Sequence, residues 1–185
     1  MPKNSNDASR RDKDRMENWM KPTIHRMGKK IGITRMATYV DQLFCVDVEW
    51  HLTEIIRVAF EAATAANRKT IQPEDVLLTI NKFNGLTESY DESFIAKAPF
   101  RRAVLSYAYK YWGDLRISSK ALDIMRKFSE TRIFTLLRMS YRVMKNDKRR
   151  TLMQKDVRVV IHNSQRCTIN TGVYDYIYEY DDLSE

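Results

Sequence analysis

Glycine and proline are scarce, five and four among 185 residues, which leaves few turn and break points and favours long helices. Cysteine is scarcer still: Cys45 and Cys167 form no CxxC or Cys/His spacing, so they read as two reduced thiols with no zinc site. His25, His51 and His162 lie far apart without ligand spacing, and neither a nucleophile motif nor a phosphate-binding glycine loop occurs. No metal, no cofactor and no catalysis are expected. Long apolar runs are missing too, well short of the roughly 18 residues a membrane helix needs. The polar stretch Met1 to Arg15 has no apolar core for a signal peptide, so the expectation is synthesis in the cytosol without secretion. What remains is 43% apolar content, enough to bury a core.

Positive charge is concentrated. Residues 1–84 carry 14 Lys/Arg against 11 Asp/Glu, residues 85–168 carry 18 against 8, and residues 169–185 carry none against 5. The surplus in the second segment favours a polyanionic partner, nucleic acid or an anionic surface.

The most informative feature is a repeat. Arg68-Lys69-Thr70-Ile71-Gln72-Pro73-Glu74-Asp75-Val76 returns as Arg149-Arg150-Thr151-Leu152-Met153-Gln154-Lys155-Asp156-Val157, 81 positions later. Each copy follows a long amphipathic stretch. From about 39 to 66, Val40, Leu43, Phe44, Val48, Leu52, Ile55, Ile56, Ala59, Phe60 and Ala63 recur at steps of three and four. Ala121, Leu122, Met125, Phe128, Ile133, Phe134, Leu136, Leu137, Tyr141 and Met144 do the same from about 119 to 146. Short helices flank each long one. Pro22 suits the first turn of a helix running to about Lys30, and Pro99 that of one running to about Tyr111. Gln72-Pro73-Glu74-Asp75 and Gln154-Lys155-Asp156 start third helices over about 73–83 and 154–163.

The fold class is therefore all-α, with one short-long-short unit written twice. A long helix with two short arms cannot cover its own apolar face, so the two units are expected to cross each other within the chain. The polar, acidic segment Asn84 to Ala98 is long enough to serve as their connector. Arg68 ends one long helix and Asp75 opens the next, as do Arg149 and Asp156. These are either solvated charges or a loop clamp, and recurrence at one spacing favours the clamp.

With these residues in view, the chain resembles two histone folds fused end to end. Residues 21–84 resemble histone H-four without a gap, through Lys21-Pro22-x-Ile24-x-Arg26, Arg35, Leu52-x-x-Ile55-Ile56-Arg57-x-Ala59, Arg68-Lys69-Thr70 and Asp75-Val76. Residues 99–166 resemble histone H-three, through Pro99-Phe100-x-Arg102-x-Val104, Asp114-Leu115-Arg116, Ser119-x-Ala121 and Thr151-x-Met153-x-Lys155-Asp156. A tail over 1–20, a connector over 85–98 and an acidic, tyrosine-rich tail over 167–185 complete the division. Fusion in this order is similar to the histone doublets of large DNA viruses of the marseillevirus type. The resemblance implies a pseudo-heterodimer that packages double-stranded DNA in nucleosome-like particles, in a virion, a viral factory or a host nucleus.

Departures from the pattern are equally specific. The segment 1–20 holds only Lys3 and Lys13 as lysines and lacks the Gly-Lys repeats of a cellular tail, which argues against regulation by tail acetylation. Ala62, Ala65 and Leu78 stand where the H-four family contacts the next histone pair, and Asn146 replaces a histidine at the H-three self-association surface.

If the units cross head to tail, the first loop of one lies beside the second loop of the other. Arg35 then approaches Lys148, Arg149, Arg150 and Thr151, and Arg116 approaches Arg68, Lys69 and Thr70. Each end becomes an edge able to hold phosphate without reading sequence. The resemblance adds that Arg35 and Arg116 match arginines inserted into the minor groove of wrapped DNA. Lys29, Lys30, Arg101 and Arg102, near the first helices, are further candidates. A second copy of the chain would join through Val143, Asn146, Arg149, Asp156 and Val160, and a companion doublet of the other two core-histone types through Ala62, Ala65 and Leu78. The alternating Tyr174-Asp175-Tyr176-Ile177-Tyr178-Glu179-Tyr180 segment fits an extended strand with one aromatic face, either a solvated tail or a docking element. The alternative functions are a histone-fold transcription-factor subunit and a pure protein-interaction scaffold.

Overall fold

A computed structural model describes residues 16–82, 93–113 and 115–166. Most of the expected connector, Asp114, Cys167 and the tyrosine-rich tail lie outside the described residues. Among the described residues, six helices and four two-residue strands follow in order: α1 Met16–Ile31, β1 Arg35–Met36, α2 Val40–Ala65, β2 Thr70–Ile71, α3 Pro73–Lys82, α4 Lys97–Trp112, β3 Arg116–Ile117, α5 Ser119–Asn146, β4 Thr151–Leu152 and α6 Gln154–Arg166. The strands and the third helices repeat at the 81-residue offset seen in the sequence.

Helix α1 departs from expectation. It already includes Met16, so Pro22 sits inside it and residues 16–20 belong to the helix instead of to a tail. An interior proline costs about 3 kcal/mol. Met16, Met20, Ile24 and Met27 are all buried on one stripe, at about 1.5–3 kcal/mol each, which outweighs that cost. Pro22 itself is exposed. The helix stops at Gly32, whose φ of 99° excludes most side chains and whose position against the Tyr141 hydroxyl leaves little room for one.

The long helices begin differently. Ser118 caps α5 by accepting the Ala121 N–H at 3.3 Å, whereas α2 follows Tyr39 in a left-handed conformation with no side-chain cap. Both are held mainly by burial. Phe44, Val48, Leu52, Ile55 and Ile56 of α2 share one core with Met125, Ile133, Leu136 and Leu137 of α5. Helices α1 and α3 pack on α5 as well as on α2, and α4 and α6 pack on α2 as well as on α5. Neither half buries its apolar face alone.

The loops carry β structure that helical periodicity gives no hint of. Strand β1 pairs in parallel with β4, matching Arg35 to Thr151 and Met36 to Leu152. Strand β2 pairs in parallel with β3, matching Thr70 to Arg116 and Ile71 to Ile117. The backbone just before α4 is also more constrained than a polar connector suggests. Arg126 and Glu130 of α5, both buried, grip Ser93 and Ile95: Glu130 accepts the Ile95 N–H at 2.7 Å, and Arg126 donates to the Ile95 carbonyl at 3.2 Å. Arg26 of α1 donates to the Phe94 carbonyl at 3.0 Å, so this short stretch is tied to both halves.

Candidate nucleic-acid interface

Two edges arise from the strand pairs. At one, Arg35 and Thr151 are register partners and the Ala37 N–H donates to the Leu152 carbonyl at 2.9 Å. At the other, Arg116 and Thr70 are register partners, with the Ser118 N–H donating to the Ile71 carbonyl at 3.0 Å. Arg35, Lys69, Arg116, Lys148 and Arg150 are exposed, and Thr70 and Thr151 are partly so. Each edge therefore offers cations beside a hydroxyl, next to a helix start, in a geometry suited to phosphate oxygens.

Arg68 and Arg149 play a different part from their neighbours. The Arg68 guanidinium donates two bonds to Asp75, at 2.9 and 2.8 Å, and one to the Thr70 carbonyl at 3.1 Å. Arg149 donates to Asp156 through both terminal nitrogens, and also to Asp147 at 2.7 Å. Asp75 in turn accepts the Gln72 N–H at 2.8 Å, and Asp156 the Met153 N–H at 2.9 Å, so each carboxylate closes its loop and opens the next helix. Hydrogen bonding from Arg68 holds Asp75 below the usual carboxylate range. Burial pushes Asp156 upward, but the Arg149 pair and the Met153 N–H outweigh it and the net direction is down. Both arginines are shifted up by the same bonds. A guanidinium engaged in this way has less charge to give a phosphate than the exposed cations beside it, so Arg68 and Arg149 shape the edges more than they carry them.

The flanking candidates separate. Lys29 and Lys30 occupy the last turn of α1, next to the loop that carries Arg35, with Lys30 Nζ 5.4 Å from the centre of the Phe94 ring. Arg101 and Arg102 are exposed near the start of α4, whereas Arg116 follows that helix's other end. The residue in Lys29's place, 81 positions on, is Lys110, exposed in the last turn of α4. Lys110 is thus one more candidate, to which the repeat offset points.

The expected assembly surfaces are altered by burial. Asp156 and Val160 are buried within the chain, while Asn146 is exposed and Val143 and Arg149 are half-buried. Val159, one residue from Val160, is 50% exposed, and its counterpart Leu78 is 60% exposed. Ala65 is exposed and Ala62 half-buried. Helix rotation of about 100° per residue separates Val159 from Val160, and the sequence pattern resolves phase no better than that. Among the described residues, no group of three or more His, Cys, Asp or Glu is disposed to hold a metal ion.

Residues 87–163 match the core histone domain family, which takes in histones H-two-A, H-two-B, H-three and H-four. The chain is similar to the inner kinetochore subunit mhf1 of Schizosaccharomyces pombe, 47% identical over 53 residues, which is 26% of this chain and 48% of that protein. It thus spans about half the length of that relative. A crystal structure of the histone from Methanopyrus kandleri superposes with a TM-score of 0.59 at 23% identity, covering 78% of this chain and 93% of that one. A histone-fold domain is present in a mostly helical protein.

Proposed function

We propose, from the premise that this chain carries a histone fold, that it carries two: an H-four-like unit over 21–84 and an H-three-like unit over 99–166, paired in cis as a pseudo-heterodimer. It binds double-stranded DNA with little sequence selectivity and bends it around nucleosome-like particles. The observation that carries the reading is the cross-pairing of strands. Arg35 stands beside Thr151 and Arg116 beside Thr70, so each phosphate-binding edge draws on both units. Val159 and its surroundings suit a second copy of the chain, and Leu78 with Ala62 and Ala65 suits a companion doublet. The order of fusion supports a viral genome-packaging role, in the virion, a viral factory or the host nucleus.

The local likeness to an inner kinetochore subunit favours one competing reading, a histone-fold subunit of a larger assembly in which protein contacts dominate. Salt-dependent DNA binding separates the two. Under the packaging reading, log affinity falls with log salt at a slope of about −0.9 per phosphate neutralised, nearly the same for scrambled DNA sequences. Arg35→Ala with Arg116→Ala flattens that slope by about two units while the fold stays intact, since exposed loop charges add little to stability. An unchanged slope in the double variant would favour the scaffold, and strong preference for one short sequence would favour a transcription-factor subunit.

A further inference from the structure

Where the long helices cross, the two halves are not alike. Asp47 of α2, with a fully buried carboxylate, receives two bonds from Arg132 of α5, Nε and Nη2 each at 2.9 Å. Arg132 also donates to Ser164 of α6 at 3.1 Å. The 81-residue offset relates Asp47 to Phe128 and His51 to Arg132. The symmetry-related contact is accordingly His51 with Phe128, and those rings do meet, 6.2 Å between centres. An ion pair thus occupies one side of the crossing and an aromatic pair the other.

We infer that these four residues determine pairing, making the first unit accept the second and reject a copy of itself, whether the partner unit lies in the same chain or in another. The inference rests on the tandem-fold reading for the equivalence of the positions, and not on DNA binding. Consider the wrong pairings. Two second units would place both Arg132 side chains opposite Phe128 with no carboxylate on the crossing. A cation–π contact returns less than is lost when a buried ion pair is deprived of one partner. Two first units would set each Asp47 against His51. Burial lowers the affinity of His51 for a proton, and its Nδ1–H already donates to the Asp47 carbonyl at 2.7 Å, so it replaces a guanidinium poorly. Only the mixed pairing satisfies the buried carboxylate and the guanidinium together.

A like-for-like surface would serve two identical units equally well. The asymmetry matters most where many copies of the chain meet, because pairing between first units of different chains would leave second units stranded and join chains into disordered aggregates.

Exchange of the four residues in the full-length chain tests this, with thermal unfolding and sedimentation as readouts and no DNA present. Asp47→Phe with His51→Arg gives both units the second unit's pair, and Phe128→Asp with Arg132→His gives both the first unit's pair. Each double variant should unfold on the order of 10 °C lower than the parent, from the loss of a buried pair in a protein of this size. The quadruple variant restores a complementary crossing with the sides exchanged and should recover most of that loss, with the sedimentation behaviour of the parent chain. To keep core packing at 51 and 128 untouched, Asp47→Arg is compared with Asp47→Arg combined with Arg132→Asp, where the second change should restore what the first removes. A quadruple variant no better than the double variants, or a charge exchange no better than its single parent, would overturn the pairing assignment. Unfolding temperatures unmoved by any of the changes would also overturn it, and would remove the cis-paired reading beneath it.

Discussion

Asp75 and Asp156 each accept from an arginine side chain and from a backbone N–H at a helix start, and both are almost wholly buried. This arrangement sets the direction of their pH dependence. Each folded carboxylate loses its proton more readily than the unfolded one, so its contribution is fully present above the unfolded value near pH 4 and is lost as pH falls through the folded value. Asp75→Asn with Asp156→Asn should therefore lower stability at neutral pH, by about 1–3 kcal/mol per site. It should also reduce the further loss seen between about pH 5 and pH 2. Denaturant unfolding across that range checks it, and an acid dependence equal to the parent's would mean other carboxylates dominate. The repeated Arg-to-Asp spacing made this pairing legible in the sequence. The buried Arg126–Glu130 grip on residues 93–95 was not, because its partners lie more than 30 positions away and show no local pattern.

At the scale of elements, the ends of the long helices repeat a strained turn. Asn67 and Lys148, 81 positions apart, both adopt a φ of 54° just beyond α2 and α5. Asparagine tolerates the left-handed region, whereas a lysine there costs roughly 1–2 kcal/mol. Lys148→Gly should then raise unfolding stability by about 1 kcal/mol and, by removing an exposed cation from the edge, weaken DNA binding and shorten its salt slope by about one unit. Opposite movements of stability and affinity are the expected result; a loss of both would mean that Lys148 contributes to folding. The helices themselves were legible from apolar spacing to within a residue or two at most ends. Helix α1 was not, because Pro22 reads locally as a start signal and only the buried stripe from Met16 to Met27 overrides it. The two-residue strands were equally hidden, since a pair so short has no periodicity of its own.

The whole molecule follows from a single fact of packing: each half lends its short helices to the other's long one, and the crossing brings the loops of both halves together at two edges. An expectation of crossed units was foreseeable from the repeat. Which face of α6 points outward was not, and the placement of Val159 outside and Val160 inside shifts the proposed self-association surface by one residue. The central proposal is that two such edges, on a particle built from this chain and its companion, bend DNA along a defined path. Nuclease digestion of DNA reconstituted with the chain and histones of the other two core types tests it most directly. The account predicts a discrete protected fragment that is lost when Arg35 and Arg116 are both replaced by alanine; a continuous smear with the parent chain, unchanged in the double variant, would contradict it.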